Sequence, residues 1–403
     1  MCLREIREQV LEGFSYAGDV ADDAVLQSID STIKQYLKEH YIEMGQWKHI
    51  RRTIFNSLRR LDVLQELVED QSITEIMVNG PEYIFIERQG CITRAPVQFE
   101  SRAKLEDVIQ KIVSNTNRIV NESNPIVDSR LEDGSRVNVV LQPIARNGPV
   151  LTIRKFPSNP ITIEKLIEIG SLSEEVSEFL RKLVIARYNI FISGGTGSGK
   201  TTFLNVLSNF VPRDERIITI EDSAELQIRE IANLVSMEAR NANVEGGNAV
   251  TIRDLIKSAL RMRPDRIILG EVRDAAAVDL LSAMNTGHDG SLSTGHANSA
   301  KDMIYRLETL VLMGLDIPLS SVRRQIVSAL DIIIHLGRIR DKSRKVLEIS
   351  EVLDCVEGEV ILNPLYSFVE TGLSKEGKVE GQLMRTENAF IYTDKLQRAG
   401  VSI

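Results

Sequence analysis

Hydrophobic residues in the first 60 positions recur every three to four residues. Ile29, Ile33 and Leu37 follow this spacing with charged residues between them, and that period is typical of an amphipathic helix. The segment 50–61, IRRTIFNSLRRL, repeats the pattern with added arginines. We therefore expect residues 1–60 to form a helical extension that acts as a small bundle or docking arm. A helix lying on a membrane surface is the alternative.

The pattern changes to alternation after residue 61. The segment 73–90 contains two alternating apolar runs separated by Asn-Gly-Pro, which predicts a β-hairpin. A helical period follows in LEDVIQKIVSNT, and strand-like runs return in SRVNVVLQPI and VLTIRKF. These elements predict a small α+β domain over residues 61–156. The next segment, PSNPIT at 157–162, is typical of a linker and is our candidate hinge.

Beyond the linker the apolar runs become nearly continuous. YNIFIS, RIITIE, RIILGE and SLSTGHA are separated by stretches with helical spacing. Strands of a parallel sheet read this way because helices cover both of their faces. The pattern over residues 163–403 therefore predicts an α/β domain with a mainly parallel sheet, which includes a C-terminal tail.

Composition and charge narrow the class of protein. The 403 residues carry a formal net charge of −8, which argues against a general nucleic-acid binder. The three cysteines form no CxxC pair, and a reducing cytosol fits that usage. No run approaches the roughly 18 apolar residues of a membrane span. We expect a cytoplasmic protein that reaches a membrane only through partners.

The segment FISGGTGSGKTT matches the strand–GxxxxGK[ST]–helix pattern of a phosphate-binding loop, or P-loop. Its glycines would let backbone N–H groups curl around the phosphates at the start of a helix. Lys200 is expected to reach the β- and γ-phosphates, and the Thr201 hydroxyl to ligate Mg²⁺. The predicted ATP-binding residues are Gly194, Gly195, Thr196, Gly197, Ser198, Gly199, Lys200, Thr201 and Thr202.

Carboxylates follow two of the predicted strands. Glu221, Asp222 and Glu225 come at or after the end of RIITIE, and Glu271 follows RIILG. Carboxylates at the strand ends of a phosphate-binding sheet can hold a metal or accept a proton from the attacking water. Together with Thr201, we predict Glu221, Asp222 and Glu271 as Mg²⁺ ligands. Solvated strand-end charges are the alternative.

Two of the five histidines lie in TGHDGSLSTGHANS. His288 and His296 could be metal ligands, a proton relay, phosphate contacts or buried structural side chains. A zinc site needs three or four ligands, whereas this segment offers two histidines and no cysteine. Its small residues, Gly290 and Gly295 among them, suggest that the chain passes close to the nucleotide.

Four segments stand in a fixed order: GGTGSGKTT, TIEDSAEL, RIILGEVRD and TGHDGSLSTGHANS. Together they resemble the type II/type IV secretion ATPase superfamily, whose members carry a Walker A loop, an aspartate box, a Gly-Glu Walker B strand and a histidine box in that order. The resemblance implies a PAS-like fold for the α+β domain and a RecA-like fold for the ATPase domain. It also implies a homohexamer that hydrolyses ATP at the inner face of the cell membrane, working on an integral platform protein.

The resemblance assigns roles to individual residues. Glu225 matches the general base of the aspartate box, Glu271 matches the Walker B glutamate, and His296 matches the histidine near the γ-phosphate. Arg136 and Arg154 lie in a segment that looks like the arginine-bearing end of the family's N-terminal domain. They are therefore candidate γ-phosphate contacts.

The tail points to one branch of the superfamily. Residues 363–384, with FIYTDKLQRAGV after them, are similar to the C-terminal end of motors for Tad/Flp-type pili. The implied function is pilus assembly or secretion. The alternative is a nucleic-acid-translocating P-loop ATPase of the conjugation or helicase type, which the acidic balance disfavours. Arg261 and Arg263 are weaker candidate phosphate contacts, with an interface ion pair as the alternative.

Overall fold

The computed structural model of the chain describes residues 5–10, 21–38, 44–88, 90–116, 118–156, 160–240, 249–374 and 377–402. The chain divides into two units, Met1–Ser158 and Asn159–Ile403. The predicted linker at 157–162 lies partly outside the described residues.

Helices open the first unit where the apolar period predicts them. Val25, Ile29 and Ile33 form one buried stripe, and Ile50 and Ile54 from the next helix pack against it. The apolar stripes of the two helices pack against each other because neither helix alone can shield its stripe from water. Residues 5–10 are also helical, and the further helices described in this unit are Asp22–Tyr36, Met44–Arg59, Leu64–Glu69 and Arg102–Ser114.

A six-stranded antiparallel sheet completes the first unit, in the order β3-β2-β1-β6-β5-β4. The predicted hairpin is β1–β2, in which Val78 pairs with Ile84. The helix Arg102–Ser114 buries Leu105, Ile109 and Ile112 in the core of the sheet. The strands are β1 (Ile73–Asn79), β2 (Ile84–Arg88), β3 (Cys91–Arg94), β4 (Ile126–Arg130), β5 (Arg136–Val140) and β6 (Val150–Arg154).

The second unit contains a nine-stranded sheet in the order β15-β14-β13-β12-β7-β11-β10-β8-β9. Its strands are β7 (Ile190–Gly194), β8 (Ile217–Glu221), β9 (Leu234–Glu238), β10 (Arg266–Leu269), β11 (Leu292–Gly295), β12 (Ile332–Arg338), β13 (Arg344–Val356), β14 (Glu359–Leu373) and β15 (Val379–Arg385). From β9 to β12 the pairs are parallel, whereas β13, β14 and β15 extend the sheet antiparallel. The predicted mainly parallel sheet is confirmed, and the long antiparallel edge is an addition that the sequence did not predict.

Two apolar cores cover the two faces of this sheet. Successive residues of β7 alternate between them, with Ile190 and Ile192 in one core and Phe191 in the other. Apolar side chains cover both faces of the sheet and exclude water, which explains why the parallel strands are apolar throughout. The helices of the second unit are Ile163–Glu168, Glu174–Ile185, Lys200–Ser208, Ile252–Ala259, Ala276–Asn285, Ala300–Leu312, Leu319–Ala329 and Asp394–Arg398.

Within the described ranges, no helix has both the length and the apolarity needed to cross a membrane. The parallel pairing has a consequence for the predicted motifs. Because β7, β8, β10 and β11 run in one direction, their carboxyl ends meet at one edge of the sheet. Ligands of open α/β sheets bind at that edge.

Candidate active site

The P-loop joins β7 to the helix Lys200–Ser208, and its shape depends on glycine. Gly199 caps the helix in the left-handed region at φ 96°. A Cβ at Gly194 would lie 2.5 Å from the Leu336 carbonyl oxygen and 2.6 Å from Ser198 Oγ, so no side chain fits there. In the described chain no side chain caps this helix, and its first backbone N–H groups are therefore available to an anion.

Lys200 lies at the centre of the site and is 7% exposed. Its Nζ donates to the Gly195 carbonyl oxygen at 3.1 Å and lies 3.3 Å from His296 Nδ1. Burial lowers the pKa of Lys200, and the nearby Glu271 carboxylate opposes that shift. A buried ammonium group held only by a carbonyl and an imidazole is well suited to donate to a phosphate oxygen.

His296 connects this lysine to the Walker B glutamate. Its Nε2 lies 3.1 Å from Glu271 Oε1. Burial, and after it the Lys200 charge, lowers the pKa of His296. We therefore assign a neutral imidazole that accepts from Lys200 through Nδ1 and carries its proton on Nε2.

Glu271 has one carboxylate oxygen that is engaged and one that is not. Oε2 accepts from Arg273 at 2.9 Å, whereas Oε1 is buried and meets no hydrogen-bond partner among the described residues. His296 Nε2 approaches Oε1 to 3.1 Å, but the geometry of this contact is not that of a hydrogen bond. A buried oxygen of this kind suits a cation.

Arg273 lies outside the residues that the sequence predicts for this site. Its second terminal nitrogen lies 3.4 Å from Asp222 Oδ2, so this arginine joins the Walker B strand to the aspartate box. The feature of the sequence that could have pointed to Arg273 as a site residue was its position two residues after Glu271. A surface arginine after a strand is nevertheless too common to single out.

Glu221 and Gly270 lie in close contact, and the side chain of Glu221 leaves no room for a Cβ at position 270. Glu221 is 4% exposed, and its carboxylate accepts hydrogen bonds from the backbone N–H groups of Glu225 at 2.8 Å and Leu226 at 3.1 Å. It thereby shapes the turn that carries Glu225, which is half-buried. A Cβ at Gly270 would lie 3.0 Å from Glu221 Cγ. That close approach accounts for glycine before the Walker B glutamate.

The residues present fit Mg²⁺. The Thr201 hydroxyl and the buried oxygen of Glu271 are hard oxygen donors. No group of three or more His, Cys, Asp or Glu residues in the described ranges could enclose a metal by itself. Mg²⁺ usually takes one or two protein ligands and completes its shell with phosphate oxygens and water.

His288 lies apart from this group. Its Nδ1 is 3.2 Å from the Ala283 carbonyl oxygen, in the last turn of the helix Ala276–Asn285, and its own carbonyl accepts from Ser291 Oγ at 2.8 Å. The first contact lies at the carboxyl end of that helix, and the second holds the turn that leads into β11. Of the alternatives open for His288, the geometry favours a structural hydrogen bond.

The interpretation of Gly290 as a residue that faces the nucleotide is wrong. Gly290 precedes β11, at the opposite end of the sheet, and a Cβ there would lie 2.7 Å from a terminal nitrogen of Arg266. At Gly295 a Cβ would lie 2.9 Å from side-chain atoms of Met303 and Phe191. Both glycines are therefore explained by close packing inside the protein, where a Cβ would clash with neighbouring side chains.

The four candidate arginines lie on two kinds of element. Arg136 and Arg154 are direct partners on the antiparallel strands β5 and β6, so both side chains project from the same face of that sheet. Arg261 and Arg263 are exposed in the turn after the helix Ile252–Ala259.

A pocket of about 360 Å³ opens beside the P-loop. It joins the loop to the segment after β11 and to the helix Ala300–Leu312, whose Asp302 and Arg306 are additions to the predicted site. The lining residues are Gly195, Thr196, His296, Ala297, Asn298, Asp302 and Arg306.

Fold and site together define a P-loop ATPase whose histidine box contacts both the P-loop lysine and the Walker B glutamate. Residues 58–378 match the family described as "Type II/IV secretion system protein", and the chain belongs to this family. The prediction of a secretion-type ATP hydrolase is confirmed at the level of the family.

Relatives span most of the chain. The conjugal transfer protein TrbB of Rhizobium radiobacter is 35% identical over 295 residues, covering 72% of this chain and 87% of TrbB. The type IV secretion system protein VirB11 of Bartonella henselae is 32% identical over 334 residues, covering 74% of this chain and 93% of VirB11. The crystal structure of the Legionella pneumophila ATPase DotB is similar with a TM-score of 0.52 at 23% identity, over 73% of this chain and 80% of DotB. That last likeness concerns the fold alone.

Proposed function

We propose that this chain is the ATP-hydrolysing motor of a Tad/Flp-type pilus or of a closely related secretion system. The observation that carries the ATPase part is the continuous line of contacts Lys200–His296–Glu271–Arg273–Asp222. It links the P-loop, the histidine box, the Walker B strand and the aspartate box at one edge of the sheet. Four motifs that are separate in sequence thus form one charged network.

Within this network each group has a role in phosphoryl transfer to water. Lys200 binds the β- and γ-phosphates, and Glu225 accepts the proton of the attacking water. Thr201 and Glu271 would hold Mg²⁺, which when bound neutralises charge on the phosphates. Asp222 remains a candidate for the outer metal shell. Glu221 instead acts through the backbone, by holding the turn that positions Glu225.

His296 is the candidate sensor of the nucleotide state. Its neutral ring lies between the Lys200 ammonium and the Glu271 carboxylate. An arriving γ-phosphate competes for the ammonium group and so changes the partners of the imidazole. Hydrolysis reverses that change, and the loop after β11 can report it to the helix Ala300–Leu312.

Arg136 and Arg154 are proposed to neutralise the part of the phosphates' negative charge that Lys200 and Mg²⁺ leave uncompensated. They are opposite each other in antiparallel register, and two guanidinium groups on one face suit a phosphate group. The segment 157–162 would act as the hinge through which nucleotide turnover moves the arginine-bearing domain. The chain would work as a cytoplasmic homohexamer against an integral inner-membrane platform protein.

The name of one relative favours a second candidate function. TrbB is a conjugal transfer protein, and a motor of the conjugation type would act in the transport of nucleic acid. The net charge of −8 weighs against direct contact with a nucleic acid. Strong stimulation of ATP hydrolysis by single-stranded DNA would favour this second candidate over the pilus motor.

The proposal is tested by phosphate release from the purified full chain. Lys200→Ala should lower kcat at least about 100-fold, because a buried cation at the transferred phosphate is lost. Lys257→Ala, on an exposed position of the helix Ile252–Ala259, is the matched control and should change little. Arg136→Ala should also lower kcat without lowering the unfolding temperature.

Turnover by Lys200→Ala at the rate of the unmodified chain would overturn the ATPase assignment. The motor assignment has its own test. Native mass spectrometry should show a six-chain ring, and cells carrying the Lys200→Ala chain should lack surface pili. Normal piliation in those cells would reject the pilus function while leaving the ATPase intact.

A further inference from the structure

A third histidine lies directly behind the P-loop. His335 is on β12, the strand next to β7, in register with Ser193. Both side chains are buried, with His335 7% and Ser193 0% exposed, and Ser193 Oγ lies 2.8 Å from His335 Nδ1. Ser193 immediately precedes the first P-loop glycine, so this pair lies at the base of the loop.

The other side of the imidazole reaches the histidine box. The ring of His335 makes a hydrogen bond to the backbone of Asn298 that favours the protonated ring. A backbone group with that effect is a carbonyl oxygen, which accepts from a ring N–H. Because Nδ1 faces Ser193, the donor is Nε2. This sets the tautomer: Nε2–H donates to Asn298, and the Ser193 hydroxyl donates to Nδ1.

The two partners belong to different parts of the active site. Ser193 lies on the strand that enters the P-loop, whereas Asn298 lies two residues after His296. Asn298 and His296 line the same pocket as Gly195. A single buried imidazole therefore bridges the P-loop strand and the loop that holds His296.

We propose that His335 is a positioning residue for ATP hydrolysis, which holds the loop carrying His296 at a fixed distance from the P-loop through its bond to the Asn298 carbonyl. The inference rests on the proposed ATPase function. His335 touches neither the nucleotide nor the reacting atoms; it acts through His296. A buried ring with one donor and one acceptor in use holds the loop more rigidly than apolar packing would, because breaking either bond leaves a buried polar group unpaired.

Two substitutions separate the two bonds. His335→Gln can place an amide N–H near the position of ring Nε2 and so keep the link to Asn298, while it loses the acceptor for Ser193. His335→Asn can place its amide oxygen near ring Nδ1 and keep the link to Ser193, but it is too short to reach Asn298. Ser193→Ala removes the hydroxyl and leaves the bond from His335 to Asn298 in place.

The experiment measures kcat, KM, binding of a fluorescent ADP analogue and the unfolding temperature of the full chain. We expect His335→Asn to lower kcat about tenfold, since a small misplacement of an active-site group has an effect of that order or larger. His335→Gln and Ser193→Ala should keep kcat within about threefold, and all three should bind the ADP analogue with nearly unchanged affinity.

Two outcomes would overturn the inference. In one, His335→Asn turns over ATP as fast as the unmodified chain, or kcat simply follows the unfolding temperature across the three variants. In the other, which remains decisive if His335→Asn does not fold, Ser193→Ala loses kcat tenfold at an unchanged unfolding temperature. Lys200→Ala in the same series keeps the two proposals apart: an active Lys200→Ala chain rejects the ATPase function, whereas an inactive one beside a fully active His335→Asn rejects only the role of His335.

Discussion

The two ends of the parallel strands in the second unit both carry charged clusters, and the clusters are built differently. At the amino end, Arg266 opens β10 and is fully buried. Its guanidinium group donates to both Glu215 oxygens, at 2.5 and 2.9 Å, and to the Val184 carbonyl at 2.6 Å. A buried cation held by a bidentate carboxylate and a carbonyl is well satisfied.

At the carboxyl end the charges are arranged more loosely. Lys200 contacts a carbonyl and a neutral imidazole rather than a carboxylate, and within the described ranges Glu271 Oε1 has no hydrogen-bond partner. Charges that are fully paired inside the protein stabilise the fold, whereas charges left under-satisfied in a pocket are available to a ligand. The difference separates a structural ion pair from a functional site on the same strand.

The largest expected effect is kinetic and lies at the carboxyl end. Glu225→Gln should lower kcat at least about 100-fold, because the amide cannot accept the proton of the attacking water. ATP binding should be unchanged, since the P-loop is intact. Phosphate release and equilibrium binding of ATP measure the two quantities. Glu230→Gln, at an exposed position that pairs with Arg213, is the matched control. Normal turnover by Glu225→Gln would remove this residue from its proposed role.

Much of this fold and part of this site could be predicted from sequence. The runs that became β7, β8, β10 and β11 are apolar because both faces of the sheet are covered, and that signal is local. The P-loop is also local, since its glycines and Lys200 lie within a few residues of each other. The order of the four motifs indicated the family, and the match over residues 58–378 confirms that prediction.

What could not be predicted depends on register between distant strands. The contact between Arg273 and Asp222 exists because β8 and β10 are neighbours in one particular register. The tie between His335 and Ser193 likewise requires β12 to lie beside β7. The isolated histidine in the apolar run IIIHL was a signal for a buried polar contact, but its partner was not visible. Gly290 was misjudged for the same reason, because Arg266 is 24 positions earlier in the sequence.

The second prediction tests the amino end, where the expected effect is on stability. Arg266→Met should lower the free energy of unfolding by about 3 kcal/mol, because it leaves Glu215 buried without its main partner. This figure is at the low end of the range for such losses because Arg187 lies 3.3 Å from Glu215 and offsets part of the charge. Urea unfolding followed by circular dichroism measures the change, and kcat per folded chain should stay within about twofold.

The double variant Arg266→Met/Glu215→Leu is the control for this prediction. Replacing both partners by apolar side chains removes the unpaired charge, so much of the lost stability should return. A large loss of kcat in folded Arg266→Met would mean that the two ends of the strands are coupled. The contrast between a structural and a functional cluster would then be wrong.

The smallest expected effect concerns pH and sharpens the contrast at the carboxyl end. Burial lowers the pKa of His335 below its ordinary value of 6.5, although the carboxylates of Glu348 and Asp302 and the bond to Asn298 oppose the shift. Between the pKa of His335 in the folded chain and its pKa in the unfolded chain, the unfolded chain binds more protons. The free energy of unfolding therefore falls as pH decreases below 6.5.

Thermal unfolding from pH 7.5 to 5.5 should therefore show a steeper decline of the unfolding temperature for the unmodified chain than for His335→Gln. His49→Gln, at an exposed position of the first unit, should keep the original slope. Equal slopes for all three chains would mean that His335 does not titrate against the fold, and its ring would then be held less firmly than the bonds to Ser193 and Asn298 imply.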